Sequence, residues 1–174
     1  ARLRGAAWAA AAGAERVGAA RERVGTGAVL RSLRESTRIA LRLAGSRWQI
    51  CAKSPAMEPE AFSYANLGGS WGAWLKYAGY DGIAVTGRAA KPVYLYLENG
   101  KAELRDAAHL WGKGAYDTDD ILKKECGKDA HIACIGPAGE NLSLISGIVH
   151  MKGSVAARSG LGAVMGSKKL KAVV

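Results

Sequence analysis

The sequence predicts an α+β fold, and three observations carry that reading. Short apolar or alternating stretches follow one another in hairpin order with few helical stretches between them, unlike the regular strand–helix alternation of a doubly wound sheet. Val93–Leu97 and Lys101–Arg105 flank Glu98-Asn99-Gly100, and Asn-Gly between alternating segments is the strongest short-range hairpin signal. The chain has 174 residues, 49% apolar and 23% charged, enough to bury one core at the single-domain scale. No stretch approaches the roughly 18 uninterrupted apolar residues of a spanning helix, and the mean hydropathy of -0.04 fits an aqueous protein. Cys51, Cys126 and Cys134 are odd in number and widely spaced. That pattern argues against a secreted disulfide framework and a self-contained four-ligand metal site, and points to a reducing, cytoplasmic setting.

The formal net charge of +10 divides unevenly. Residues 1–47 hold ten arginines against three glutamates, net +7; residues 48–174 hold fifteen basic residues, mostly Lys, against twelve acids, net +3. The first 44 residues contain no Asp, Lys, Asn, Tyr or Pro. Arg31, Arg34, Arg38 and Arg42 recur at helical spacing with Leu30, Leu33 and Leu41 on other faces, a pattern of a basic helix that fits a solvated face before a nucleic-acid or lipid contact. The abrupt switch from Arg-only to Lys-dominated basic residues is what out-of-frame translation of GC-rich DNA would produce. Residues 1–44 are therefore expected to be an atypical segment outside the fold, and residues 45–174 the domain.

Within that domain, Trp48–Ala52 is a short strand. Trp71–Tyr77 is a compact helix closed by Gly79, a C-cap position that glycine suits. Gly82–Thr86 follows as an apolar strand, then the Asn-Gly hairpin. Thr118 or Asp117 is expected to cap a helix through Ile121, Leu122 and Cys126, with Asp119 and Asp120 near its positive end, Lys123 and Lys124 toward its negative end, and Gly127 as its stop. His131–Ile135 and Ser143–Met151 are apolar strands separated by the turn Gly136-Pro137-Ala138-Gly139, and Lys169–Val174 is a final strand.

The most chemically suggestive stretch is Arg158-Ser159-Gly160-Leu161-Gly162-Ala163-Val164-Met165-Gly166-Ser167-Lys168. Its glycines allow close backbone approach to an anion, or equally tight packing of one segment on another. It is not a phosphate-binding loop of the Walker type, because only three residues lie between Gly162 and Gly166 where that loop has four, and Ser167 precedes Lys168. A second cluster, Ala65-Asn66-Leu67-Gly68-Gly69-Ser70-Trp71-Gly72, also precedes a Leu-Lys pair and an apolar segment, which hints at an internal duplication. His109, His131 and His150 have no ligand-spaced partners and read as satisfied structural histidines. Cys126 and Cys134 read as buried thiols, Trp71, Trp74 and Tyr77 as core or interface, and Asp117, Asp119 and Asp120 as helix electrostatics. No nucleophile–base arrangement is visible.

Seven motifs, in order, resemble one family. They are Gly45-Ser-Arg47-Trp-Gln-Ile-Cys-Ala-Lys53-Ser54-Pro55, Ala65-Asn66-x-Gly68-Gly69, Leu75-Lys76-Tyr-Ala78-Gly79-Tyr80-Asp81-Gly-Ile83, Lys91-Pro92-Val-Tyr94-Leu-Tyr96, Arg105-Asp106-Ala-x-His109-Leu-Trp111-Gly112-Lys113, Ile135-Gly136-Pro-Ala-Gly139-Glu140-Asn141-Leu142 and Arg158-Ser-Gly160-Leu-Gly162-Ala-Val-Met165-Gly166-Ser167-Lys168. Together they resemble the N-terminal domain of the tungsten-dependent aldehyde ferredoxin oxidoreductases, over about Gly45 to Val174.

The resemblance implies an α+β cradle of pseudo-twofold repeated antiparallel sheets, on which a tungsten (or molybdenum) bis-molybdopterin cofactor rests. Arg47 matches a cofactor-contacting arginine. Asn66 and Val155 match positions whose main-chain carbonyls reach a magnesium ion joining the two pterin phosphates. Gly68 and Gly69 match the loop beside one pterin; Ser154, Ala156, Ala157 and Arg158 match the loop beside the other. Ser154 stands where aldehyde-oxidising members carry arginine, Val155 and Ala157 replace Ala and Gly, and two extra residues separate Lys53-Ser54-Pro55 from Asn66. The family also contains members acting on other acids and on aromatic thioesters, so the substrate class stays open.

What the family implies for activity is oxidation of an aldehyde to a carboxylic acid, with electrons passing through the tungsten centre and a [4Fe-4S] cluster to ferredoxin. No Cys-x-x-Cys-x-x-x-Cys signature is present, so the cluster ligands are expected in further domains beyond Val174, with a homodimer possible for the whole enzyme, and this chain alone is expected to be inactive. No nucleic-acid or membrane partner is expected. The competing readings are a stand-alone pterin or anion carrier without redox activity, and a basic adaptor working through residues 1–44, whose binding would be steeply salt-dependent.

Overall fold

The computed structural model of the protein describes residues 6–11, 28–31 and 47–174. The described chain forms β1 (Ala6–Ala11), β2 (Ala28–Arg31), β3 (Arg47–Ser54), β4 (Ala61–Gly68), α1 (Trp71–Tyr77), β5 (Gly82–Gly87), β6 (Val93–Glu98) and β7 (Lys101–Asp106). A 3-10 turn (Ala108–Leu110), α2 (Ala115–Cys126), β8 (Ala133–Cys134), α3 (Pro137–Glu140), β9 (Ile148–His150), β10 (Ser154–Ala156), α4 (Leu161–Ser167) and β11 (Leu170–Val173) complete it. Two sheets result, ordered β1-β5-β2-β3-β4 and β10-β9-β8-β11-β6-β7. The architecture is the expected α+β.

Several expectations change in detail. Neither sheet is purely antiparallel: β1 runs parallel to β5 and β11 parallel to β6. Two stretches of the segment expected to lie outside the fold are strands of the first sheet, where β2 is hydrogen-bonded between β3 and β5. A backbone ladder needs no particular side chains, so biased composition does not prevent it. The basic helix proposed over residues 30–42 begins on strand residues and otherwise lies outside the described residues.

The Asn-Gly hairpin stands as expected, with Val93 to Glu98 paired to Asp106 to Lys101 and Asn99 and Gly100 both at positive φ, 48° and 76°, the backbone a tight two-residue hairpin requires. The helix before Gly127 starts earlier than expected, at Ala115 with Gly114 as its cap, so neither Thr118 nor Asp117 is the cap. Thr118 instead turns its hydroxyl inward to donate to the Gly114 carbonyl at 2.8 Å. The strand expected over 143–151 shrinks to Ile148–His150 and that over 131–135 to Ala133–Cys134, while the Gly136–Gly139 turn closes into one helical turn, Pro137–Glu140. Pro137 at the first helical position removes no needed donor, which favours the turn.

One core joins both sheets. Trp48 and Ile50 of β3, Leu67 of β4, Trp71 of α1, Ile83 of β5, Leu95 of β6 and Leu161 of α4 pack together, all buried. A smaller cluster holds α2 to the other face of the second sheet through Leu122, Leu110, Ile132 and Tyr94. Period-two alternation explains β3 and β4: Trp48, Ile50, Ala65 and Leu67 point inward, whereas Arg47, Lys53, Phe62, Tyr64 and Asn66 point outward.

Candidate functional site

β4 and β10 are the outermost strands of their respective sheets, and the two edges lie side by side. An edge strand leaves one row of N–H and C=O groups without a ladder partner. Asn66 lies on β4 and Val155 on β10. The fold thus brings the two segments singled out from sequence to one place, although some ninety residues separate them in the chain.

The two edges are tied together by named contacts. The hydroxyls of Ser63 and Ser159 are 2.5 Å apart, and Ser54, fully buried, donates to the Ser159 carbonyl at 3.0 Å. The Arg158 guanidinium lies 5.3 Å over the Tyr64 ring of β4. At the other end of β4, Arg47 sits opposite Gly68 in the β3–β4 register, and Gln49 Nε2 donates to Asn66 Oδ1 at 3.2 Å. Both Arg47 and Arg158 are exposed. Trp48 Nε1 donates to the Gly68 carbonyl at 3.2 Å, fixing the turn from beneath.

Gly69 is held at φ +90°, and a Cβ there would lie 2.6 Å from His150 Cδ2 and 3.2 Å from Met151 Sδ. Glycine is therefore needed at this turn so that the buried His150 ring can pack directly beneath it. His150 closes β9, and across the register it faces Ser154. One imidazole thus touches both loops. Its Nδ1 pairs with the Ile132 carbonyl at 2.8 Å, while Nε2 has no partner among the described residues. His131 stacks on Trp74, with centroids 4.8 Å apart, and its Nδ1 is 3.1 Å from Ser70 Oγ. The two imidazole centroids are 5.9 Å apart. Burial pushes both below the ordinary imidazole value, most directly by penalising the charged form.

The expected site residues separate into two kinds. Arg47, Asn66, Val155, Ala157 and Arg158 are exposed, and Gly68, Gly69 and Ser154 are partly so. Ala156 is fully buried, its side chain within the core. The glycines of α4 resolve toward packing: a Cβ on Gly166 would fall 1.9 Å from the Gly139 carbonyl oxygen, and one on Gly162 2.7 Å from that of Gly147. The Gly162 amide donates to Ser146 and those of Ala163 and Val164 to Gly160, so these N–H groups are already used. The anion reading of the Gly160–Gly166 stretch is corrected accordingly, and Arg158 and the edge before it remain as its chemistry.

The other candidates fall outside this edge. His109 pairs with Glu125 at 2.9 Å, and Asp119 and Asp120 pair with Lys123 and Lys152 at 2.7 and 2.5 Å. Cys134 is buried, its thiol pushed up to about 12 by desolvation. Sequence reasoning missed β4 as a strand, the neighbouring edges and the contact between His131 and His150; of these only β4 left a signal, the alternation of Phe62, Tyr64 and Asn66. Among the described residues no three His, Cys, Asp or Glu side chains cluster to hold a metal, and no helix is long and apolar enough to cross a membrane.

Residues 37–174 match the family model for the N-terminal domain of aldehyde ferredoxin oxidoreductase. The chain belongs to the aldehyde ferredoxin oxidoreductase family. A tungsten-containing aldehyde ferredoxin oxidoreductase of Thermococcus kodakarensis is 49% identical over 130 residues, 74% of this chain and 21% of that protein. An aliphatic sulfonate oxidoreductase, WOR-like subunit, of Pyrococcus furiosus is 39% identical over 143 residues, 75% of this chain and 23% of that protein. Among solved structures, the active site complex BamBC of benzoyl coenzyme A reductase, in complex with 1,5 dienoyl-CoA, superposes with a TM-score of 0.73 and 38% identity, over 84% of this chain and 22% of that one. The chain spans about a fifth of the length of the curated relatives it matches. The paired edges lie within residues 37–174, the part that matches the N-terminal domain of the family.

Proposed function

We propose that this chain is the pterin-cradling domain of a cytoplasmic oxidoreductase that converts an aldehyde to a carboxylic acid and passes the electrons to ferredoxin. The observation that carries the reading is the apposition of β4 and β10, which sets Asn66 and Val155 on two neighbouring sheet edges with an exposed arginine near each. When bound, a tungsten bis-molybdopterin would supply the redox chemistry.

The residues present fit such a group. Main-chain oxygens are hard ligands suited to magnesium, and edge strands offer them without any acidic side chain, so the carbonyls of Asn66 and Val155 could reach an ion between two phosphates. Arg47 and Arg158 would each donate charge-assisted hydrogen bonds to a phosphate. Gly68 and Gly69 offer a backbone without side chains beside one pterin, and Ser154, Ala156 and Ala157 line the approach of the other, Ala156 through its main chain. Connectivity supports a twofold repeat, since β3–β4–α1–β5 and β9–β10–α4–β11 share the order strand, strand, helix, strand. The [4Fe-4S] ligands and the substrate channel belong, on this reading, to the four-fifths of the relatives' length that this chain does not span.

The test is composition of the intact protein, isolated without oxygen. Tungsten, magnesium and released pterin are expected together, at about two pterins per tungsten as a bis-pterin requires. Arg47→Ala or Arg158→Ala should each weaken pterin retention by about tenfold or more, as the loss of a charged hydrogen bond worth about 1.5–3 kcal/mol implies. Pterin without tungsten or aldehyde oxidation would favour the carrier, and a preparation free of pterin would overturn the cradle.

A further inference from the structure

We propose that the aromatic cleft between α1, the end of β6 and the α2–β8 connection is a docking site for an arginine side chain presented by a peptide segment of a partner protein. The cleft has a volume of about 400 Å³. Trp74 and Tyr77 form two of its walls, their rings 5.6 Å apart and nearly perpendicular at 88°. They are 46% and 62% exposed although each is a large aromatic one helical turn from the other. Tyr96 also lines the cleft, as does Trp71, which is buried and tied through Nε1 to the Val173 carbonyl.

Charge selects the occupant. Glu98 and Asp129, both exposed, line the cleft, and no Lys or Arg does, on a chain of formal net charge +10. Lys101 faces Glu98 across the hairpin, and Lys128 lines the neighbouring cleft, but neither reaches this one. Ring faces and carboxylates attract a cation by different means, the quadrupole and the full charge, and both act on the same group here. A guanidinium meets the arrangement better than an ammonium, because its plane stacks on a ring while its edge donates to carboxylates. The fold already uses this pairing, with Arg105 stacked 3.8 Å over the Tyr96 ring, so the rings that would receive an incoming guanidinium are those of Trp74 and Tyr77. No residue of this cleft belongs to the paired edges, so the inference stands apart from the pterin reading.

The experiment is calorimetric titration of the intact protein with N-acetyl-arginine methylamide and with its neutral isostere, N-acetyl-citrulline methylamide. The arginine compound should bind at least about tenfold more tightly than citrulline, since only the former carries the charge. Trp74→Leu should weaken arginine binding about tenfold, and the double variant Glu98→Gln with Asp129→Asn about fivefold. The two acids are exposed, so the double variant keeps the fold and decides the question should Trp74→Leu misfold. Equal binding of the two compounds, no arginine binding at about 50 mM, which would nearly saturate a site of millimolar Kd, or arginine binding unchanged in the acid variant would each overturn it.

Discussion

Burial holds both His131 and His150 below the ordinary imidazole value of 6.5, and the sign of the consequence follows from linkage. Above that value both folded and unfolded chains carry neutral imidazoles. As the pH falls below it, the unfolded chain takes up protons that the folded one refuses, so stability declines until the lower folded-state value is reached. Each histidine contributes a slope of up to about 1.4 kcal/mol per pH unit. His150→Phe should remove one of the two contributions and so shrink the loss of stability as the pH falls below 6.5, while costing about 1 kcal/mol at neutral pH through the bond to the Ile132 carbonyl. Urea unfolding across that pH range checks both parts. Asp106 and Asp120, held below the usual carboxylate range by hydrogen bonds from Lys91 and Lys152, titrate at lower pH and leave the window clear. The sequence reading took these histidines as isolated and satisfied. Their 5.9 Å approach brings together residues nineteen apart, which no local pattern encodes.

At the scale of elements, glycines in similar sequence contexts do different work. Gly166 sits in the last turn of α4, where a Cβ would collide with the Gly139 carbonyl, a backbone atom that can move only with α3. Gly100 meets nothing within 4 Å and is constrained by its φ of +76° alone. Gly166→Ala should therefore cost about 3 kcal/mol or more through overpacking, and Gly100→Ala about 1–2 kcal/mol through left-handed backbone strain. Thermal unfolding of both variants gives the ranking, and a costlier Gly100→Ala would refute the packing role of α4. The hairpin was legible because its turn is a local, two-residue signal. β4 was less so, because Asn66 and Gly68, next to Gly69, resemble a loop until cross-strand pairing with β3 engages them.

Across the whole molecule, one ion pair joins three separate segments. Lys171 of β11 and Glu140 of α3 are paired with side-chain exposures of 0% and 4%. Lys171 also donates to the Lys113 carbonyl at 2.8 Å, and Glu140 accepts from the Gly112 amide at 2.7 Å. Removing one partner leaves a buried charge, so Glu140→Ala should destabilise the protein by about 3–5 kcal/mol, whereas Glu140→Leu with Lys171→Met should recover much of it. Chemical denaturation of the parent and both variants tests the pair, and a double variant no more stable than Glu140→Ala would sink it. Glu140 and Lys171 each stood inside quoted family motifs or strands, yet nothing in their spacing announced a pair.

The α+β class, the Asn-Gly hairpin, the helix of Trp71–Tyr77 and the family are all readable along the chain, because alternation, turn chemistry and ordered motifs are local properties. Folding in three dimensions is what sets β4 and β10 edge to edge, packs Gly162 and Gly166 against backbone, and lets Trp74 and Tyr77 frame an acidic cleft. Those outcomes depend on which distant backbones and side chains come within van der Waals reach once one core joins the two sheets, and a linear pattern does not contain that information.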